Sequence, residues 1–359
     1  MLRSFVRRVV PAILLLASAG VSLAQSSPAE TGRVVDITVP APALTGNLLD
    51  TPDTQAAALY LPPGYDDQPD RRFPVLYLLH GIFDDYGVWI EHFGVPEMLD
   101  RLIAQETLPE LIVVMPNAGN RYGGGYYRNS TVSGHWADYI ADNLVTYVDT
   151  RFRTLPTADS RAVVGHSMGG YGALNLAIQH PGVFSVVWAL SPCCLAPIED
   201  LGFGNDAWQR AYDVTGPEDL QRLVESRDFY TLAILGLVTA FSPDPAAAPL
   251  YGDFPFEVVR GEIVLDEAAF ERYRDSFPVR QVRAARHTLR ELRGLGLGVG
   301  LGDQFSHIPA GTLAFSHQLG LERVPHRLDL YDGDHRAQVG DRLENTVLPW
   351  VVERLNRAK

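Results

Sequence analysis

Gly165-His166-Ser167-Met168-Gly169-Gly170 decides how this chain is read. The hexapeptide follows an apolar run, Arg161-Ala162-Val163-Val164, and precedes an Ala/Leu-rich stretch over residues 171–179. That order is strand, sharp turn, helix. Gly165 and Gly169 bracket Ser167 as G-x-S-x-G. A serine on such a turn sits where neighbouring chain passes close by, so small residues are needed on either side. The turn lifts the hydroxyl clear of a sheet and sets the Met168 N–H at a helix N-terminus. The five-residue pattern alone is equally compatible with a glycine-rich turn carrying an incidental serine. The flanking strand and helix favour a nucleophile.

On either side of this turn, short apolar runs alternate with helical spacing. Residues 33–40 and 56–61 read as strands, and 73–79 (FPVLYLL) as a central strand buried on both faces. Residues 94–105 read as a helix, 111–115 as a strand, and 118–136 as a polar, Gly- and Tyr-rich loop. Trp136, Tyr139, Ile140, Leu144, Val145 and Val148 give helical spacing over 136–151. Residues 185–190 form the next strand. Between 196 and 278 the rhythm breaks into aromatic-rich turns and short helical patterns. Regular structure returns as helix 279–293, strand 295–301, helix 309–319, strand 327–331 and helix 341–356. Strands alternating with helices imply an α/β fold with a mostly parallel sheet covered on both faces. Reactive groups in such sheets gather at the carboxyl ends of the strands. His80, Ser167, Ser191, Asp303 and His335 all fall just after an expected strand.

A serine hydroxyl needs a base, and the base needs an orienting acid. Ser167, Asp303 and His335 occur in the chain order nucleophile, acid, base. His307 and His317 lie close to the Asp303 segment, and His326 precedes its strand, so His335 is the favoured base. For the acid, Asp332 and Asp334 compete with Asp303, but their closeness to His335 would demand a tight local geometry. A tetrahedral intermediate needs two preorganised donors. The Met168 N–H is one, and the Ile82 N–H, in the loop His80-Gly81-Ile82, is the candidate for the other. Asp84, Asp85, Tyr86, Trp89, Tyr122, Tyr126 and Trp136 are candidate pocket residues, with core packing as the equal alternative.

Leu79-His80-Gly81, Met115-Pro116-Asn117, residues 165–174 and Tyr331-Asp332-Gly333-Asp334-His335 together resemble the esterase D-type branch of the α/β-hydrolase superfamily. That branch includes S-formylglutathione hydrolases, feruloyl and siderophore esterases, and mycolyltransferases. The resemblance runs over residues 56–354. It implies an α/β-hydrolase fold, Ser167, Asp303 and His335 as a triad, and Ile82 and Met168 as an oxyanion hole. No cofactor is expected, and no metal site, since nothing in the sequence shows paired ligand spacing. One departure matters: 196–278 enlarges a stretch that is much shorter in compact members, and it leaves the sheet on the reactive face. The expectation is a partial lid that sets substrate choice, with Trp208, Tyr230 and Phe241 among its aromatics.

The chain has 359 residues, 46% hydrophobic and 20% charged, which fits a single folded domain over 25–359. Arg3, Arg7 and Arg8 followed by an apolar stretch to Val21 and by Ser22-Leu23-Ala24 read as a signal peptide over residues 1–24. The apolar run is short of the roughly 18–20 residues a membrane span needs. Its removal would shift the formal charge from −13 to −16, by loss of three arginines. An acidic exported protein of this kind repels nucleic acid and anionic membranes. The expected location is secreted or periplasmic, and the expected partner is a small-molecule or oligomeric ester. Cys193 and Cys194 are the only cysteines, so there is no disulfide framework; a vicinal disulfide and two free thiols are the alternatives for the pair. The leading reading is an exported serine esterase acting through an acyl-enzyme. Acyl transfer to an alcohol and a non-catalytic extracellular binding protein are the rival readings.

Overall fold

A computed structural model describes residues 31–356. The expected signal peptide lies outside the described residues. Eight strands form one sheet: β1 (Arg33–Pro40), β2 (Thr54–Leu61), β3 (Val75–Leu79), β4 (Ile112–Pro116), β5 (Arg161–His166), β6 (Val186–Leu190), β7 (Gly294–Gly300) and β8 (Arg327–Tyr331). Their spatial order is β1-β2-β4-β3-β5-β6-β7-β8. The β1–β2 and β2–β4 pairs are antiparallel, and every later pair is parallel. The α/β-hydrolase architecture expected from the sequence is therefore the one observed.

Strand alternation divides the core in two. Val75, Tyr77 and Leu79 of β3 point into one apolar layer, and Leu76 and Leu78 point into the other. All five are buried, as a strand covered by helices on both faces requires. Pro74 has no N–H to give a ladder, and β3 begins just after it, two residues later than expected. The 118–136 loop contains one small hairpin, Asn129–Ser130 against Gly134–His135. The 136–151 helix is real but widens to a π-type turn over Tyr139–Leu144.

The stretch 196–278 is more regular than its sequence suggests. It holds helices Ala207–Tyr212, Pro217–Ser226, Phe229–Phe241 and Glu267–Asp275, and a hairpin of Phe256–Val259 with Glu262–Leu265. The helix Phe229–Phe241 (FYTLAILGLVTAF) has almost no polar face because it is buried nearly all round. An amphipathic pattern was absent for that reason. Trp208 is buried against Phe203, Phe256 and Tyr273. Phe241 packs on Tyr126, Tyr171 and Phe277. These two aromatics bind the insertion to itself and to the core, and neither lines the cavity beside Ser167. Tyr230 is the one of the three that reaches the cavity beside Ser167.

Two glycines make the Ser167 turn possible. A Cβ on Gly165 would lie 2.1 Å from the Gly169 carbonyl oxygen, and one on Gly169 would lie 2.1 Å from the Leu79 carbonyl oxygen. Both obstacles are backbone and cannot swing aside. Gly165→Ala is expected to cost about 3 kcal/mol or more, read as a fall in the urea midpoint. A variant as stable as the native chain would mean that strand and helix can separate here.

Candidate active site

Ser167 sits between β5 and the helix Met168–Gln179 with φ 57° and ψ −117°. A non-glycine residue rarely adopts that conformation, and it persists only where the surroundings hold it. The Ser167 N–H donates to the Leu190 carbonyl at 3.0 Å. Its own carbonyl accepts from Tyr171 N–H at 3.0 Å and Cys193 N–H at 3.1 Å. Turn, helix and the chain leaving β6 are thereby tied to one residue. The Met168 N–H opens the helix, where a backbone donor and the helix dipole favour a developing negative charge.

His335 lies in the turn after β8, and its Nδ1 is 2.7 Å from Asp303 Oδ2 in the turn after β7. The Asp303 side chain is wholly buried and that of His335 nearly so. Asp303 Oδ1 accepts from the Phe305 N–H at 3.0 Å, which leaves Oδ2 to the imidazole. Phe305 also covers His335 edge-on, with ring centroids 5.0 Å apart. Asp332 and Asp334 are exposed. Asp334 Oδ1 accepts the N–H groups of Ala337 at 2.7 Å and Arg336 at 2.9 Å, and these bonds hold its carboxyl below the usual range. It shapes the turn that presents His335 and is not free to orient the ring.

His166, the second residue of the motif, had no assigned part in the sequence. Its Nε2–H donates to the His335 carbonyl at 2.8 Å, and the two rings lie 4.6 Å apart. Burial, then the neighbouring His335, holds this imidazole far below its ordinary pKa, so it stays neutral. His166 thus fastens the His335 segment to the turn bearing Ser167. His80 serves the opposite wall. Its Nε2 accepts from the Ala118 N–H at 2.9 Å, so Nδ1–H donates to the Gly81 carbonyl at 2.7 Å. Burial keeps it neutral as well. The loop so held brings Gly81 within contact of Ser167: a Cβ there would lie 3.4 Å from Ser167 Cβ. The next residue, Ile82, lines the cavity beside Ser167.

That cavity is narrow, about 40 Å³, and largely apolar. Its walls include Ile82, Tyr126, Cys193, Phe229, Tyr230 and Ile234. Of the seven pocket residues put forward from the sequence, Tyr126 lies there, with its hydroxyl donating to the Ala233 carbonyl at 2.9 Å. The other six do not line it. Trp136 is buried in the core, where its Nε1–H donates to the Ser133 carbonyl at 2.8 Å. Trp89 belongs to the second apolar layer with Leu76 and Leu78, on Phe93 at 5.4 Å. Tyr86 packs on that same layer, and exposed Asp85 accepts the Gly87 N–H at 2.7 Å. Tyr122 is buried, and Asp84 is paired with Arg336 at 3.2 Å. A wider, open cleft of about 730 Å³, lined by Phe83, Asp84, Asn120, Arg121 and Arg227, shares Phe229 with the narrow cavity. Cys193 and Cys194 are buried free thiols. Asp138, Asp142 and His180 form the one group with metal-ligand spacing among the described residues. Asp138 is already engaged there, with His180 at 3.2 Å and Asn129 at 2.6 Å.

Residues 51–338 match the protein family described as "Putative esterase". An esterase of Mycobacterium tuberculosis strain H37Rv, Esterase Rv1288, is 31% identical over 211 residues. That match covers 49% of this chain and 41% of the relative, so the chain spans less than half of the relative's length. Among solved structures, an S-formylglutathione hydrolase from Agrobacterium tumefaciens aligns over 92% of this chain and 98% of its own, with TM-score 0.60 and 19% identity. A ferulic acid esterase aligns over 90% of this chain and 99% of its own, with TM-score 0.58 and 22% identity. At such identities the likeness of structure speaks for the fold, and the sequence match speaks for the family. The chain therefore belongs to the esterase family, and its fold is that of the α/β-hydrolases.

Proposed function

We propose that this chain is an exported serine esterase that cleaves a carboxylic ester through an acyl-enzyme on Ser167. The observation that carries the reading is the buried Asp303–His335 hydrogen bond of 2.7 Å, on the same strand-end face as a serine held at positive φ. In this mechanism the Asp303 carboxylate holds Nδ1–H of His335, which leaves the Nε2 lone pair to take the Ser167 proton. Oγ attacks the ester carbonyl, and the oxyanion forms against the N–H groups of Met168 and Ile82. The intermediate collapses, His335 returns the proton to the departing alcohol, and water repeats the sequence on the acyl-enzyme. The substrate is a small-molecule or oligomeric ester. The apolar stretch between Arg8 and Ser22 supports export to the periplasm or beyond.

A fluorophosphonate probe tests the reading on the purified protein. It should label Ser167 stoichiometrically and block hydrolysis of a short aryl ester in step. Labelling elsewhere, or activity that survives full labelling, would overturn it.

The two cavities divide the substrate. A leaving alcohol must escape to water, which suits the open cleft. The narrow, apolar cavity suits the acyl group. Phe229 stands between them, 39% exposed, with ring centroids 5.4 Å from Phe83 and 5.3 Å from Phe305. Phe229→Ala is expected to raise kcat/KM for bulky acyl esters, relative to acetyl, by about tenfold. An equal change for every acyl length would mean that Phe229 does not bound the acyl site.

A further inference from the structure

A second histidine–aspartate pair stands in the same cavity. His307 opens the helix His307–Leu321 and lines the cavity with Ser167. It is 6% exposed. Its Nδ1 lies 2.8 Å from Asp200 Oδ1, and its backbone N–H donates to the same oxygen at 2.7 Å. Ser306 Oγ donates there too, at 3.1 Å, and the Tyr230 hydroxyl donates to Oδ2 at 2.6 Å. Burial works against the Asp200 charge, but the bonds from His307 and Tyr230 outweigh it and hold the carboxyl well below its usual range. An ionised Asp200 thus has a full set of donors. The other ring nitrogen, His307 Nε2, is buried and has no hydrogen-bond partner.

Such an atom is costly to leave unpaired in an apolar pocket. With Nδ1–H directed to Asp200, Nε2 of the neutral ring is an acceptor. The atom is also separate from the Ser167 chemistry, because Asp303 and His335 already supply acid and base.

We propose that His307 is a specificity-determining residue whose Nε2 accepts a hydrogen bond from a hydroxyl on the acyl group, so that the substrates are short hydroxyacyl esters. The proposal rests on the assignment of Ser167 as the nucleophile. The cavity is small, about 40 Å³, which favours a short acyl chain over a long one. A site built to pair a hydroxyl discriminates against the analogue lacking it, because the buried acceptor is then left without a partner.

The test uses four 1-naphthyl esters: butanoyl, 3-hydroxybutanoyl, 3-methoxybutanoyl and succinyl. The native enzyme should show kcat/KM at least about tenfold higher for the 3-hydroxybutanoyl ester than for the butanoyl and 3-methoxybutanoyl esters. In His307→Leu this ratio should fall to near one, whatever the absolute turnover. In Asp200→Asn the amide can donate to Nδ1 and move the ring proton to Nε2; a hydroxyl and a methoxy oxygen both accept from that N–H, so the preference for hydroxyl over methoxy should fall to near one. That variant also carries the test if His307→Leu does not accumulate as folded protein. No preference in the native enzyme, a preference unmoved by both substitutions, or a strongest preference for succinyl would each overturn the proposal. Fluorophosphonate labelling of Ser167 in the same samples separates the two readings. Labelling without the hydroxyl preference removes this inference alone, and absence of labelling removes the serine esterase assignment.

Discussion

Ser167→Ala is expected to lower kcat on a short ester by roughly 10⁴- to 10⁶-fold, with the melting temperature nearly unchanged. Alanine keeps the Cβ, and every bond that holds the strained turn together runs through the Ser167 backbone, to Leu190, Tyr171 and Cys193. The turn should therefore persist without its nucleophile. What remains should be the modest catalysis of the oxyanion donors and of substrate binding. The variant should also take up no fluorophosphonate. Retention of more than a few per cent of native turnover, in protein free of native contamination, would remove Ser167 from the role.

Asp303→Asn should be the second largest loss, about 10⁴-fold in kcat. The side chain is wholly buried and its Oδ2 faces His335 Nδ1. An amide there offers N–H to Nδ1 and stabilises the tautomer that carries its proton on Nε2. That ring cannot take a proton from Ser167. Asp334→Asn should change kcat only a few-fold, because the side-chain carbonyl can still accept the N–H groups of Arg336 and Ala337. Asp332→Asn, at an exposed position, should behave likewise. The three variants measured side by side decide the matter: a loss at Asp334 equal to that at Asp303 would mean that the orienting carboxylate is misassigned.

The fold and the serine turn are legible in the sequence. G-x-S-x-G between an apolar strand and an Ala/Leu-rich helix is a local requirement, because the close approach of Gly165 to Gly169 and of Gly169 to Leu79 leaves no room for a Cβ. Asp303 and His335 could be singled out because both follow strands, and the carboxyl ends of parallel strands share one face. Pocket aromatics were harder. Trp89 follows the His80-Gly81-Ile82 loop in sequence, yet its side chain enters the apolar layer that holds Leu76 and Leu78. Trp136 closes a polar loop, yet it is wholly buried.

By itself, then, the sequence determined the alternation of strand and helix, the strained serine turn and the chain order of the three polar residues, since each depends on near neighbours or on strand ends. The tertiary structure alone decided which side chains gather around Ser167. His166 reaches the carbonyl of His335 across 169 residues, and His307 reaches Asp200 across 107. No spacing rule joins such pairs, and no helical period marks a helix like Phe229–Phe241 that is buried nearly all round. The His307–Asp200 meeting depends on how the insertion packs against the helix His307–Leu321. That packing is set by shape and burial summed over many residues, and no short stretch of chain carries it.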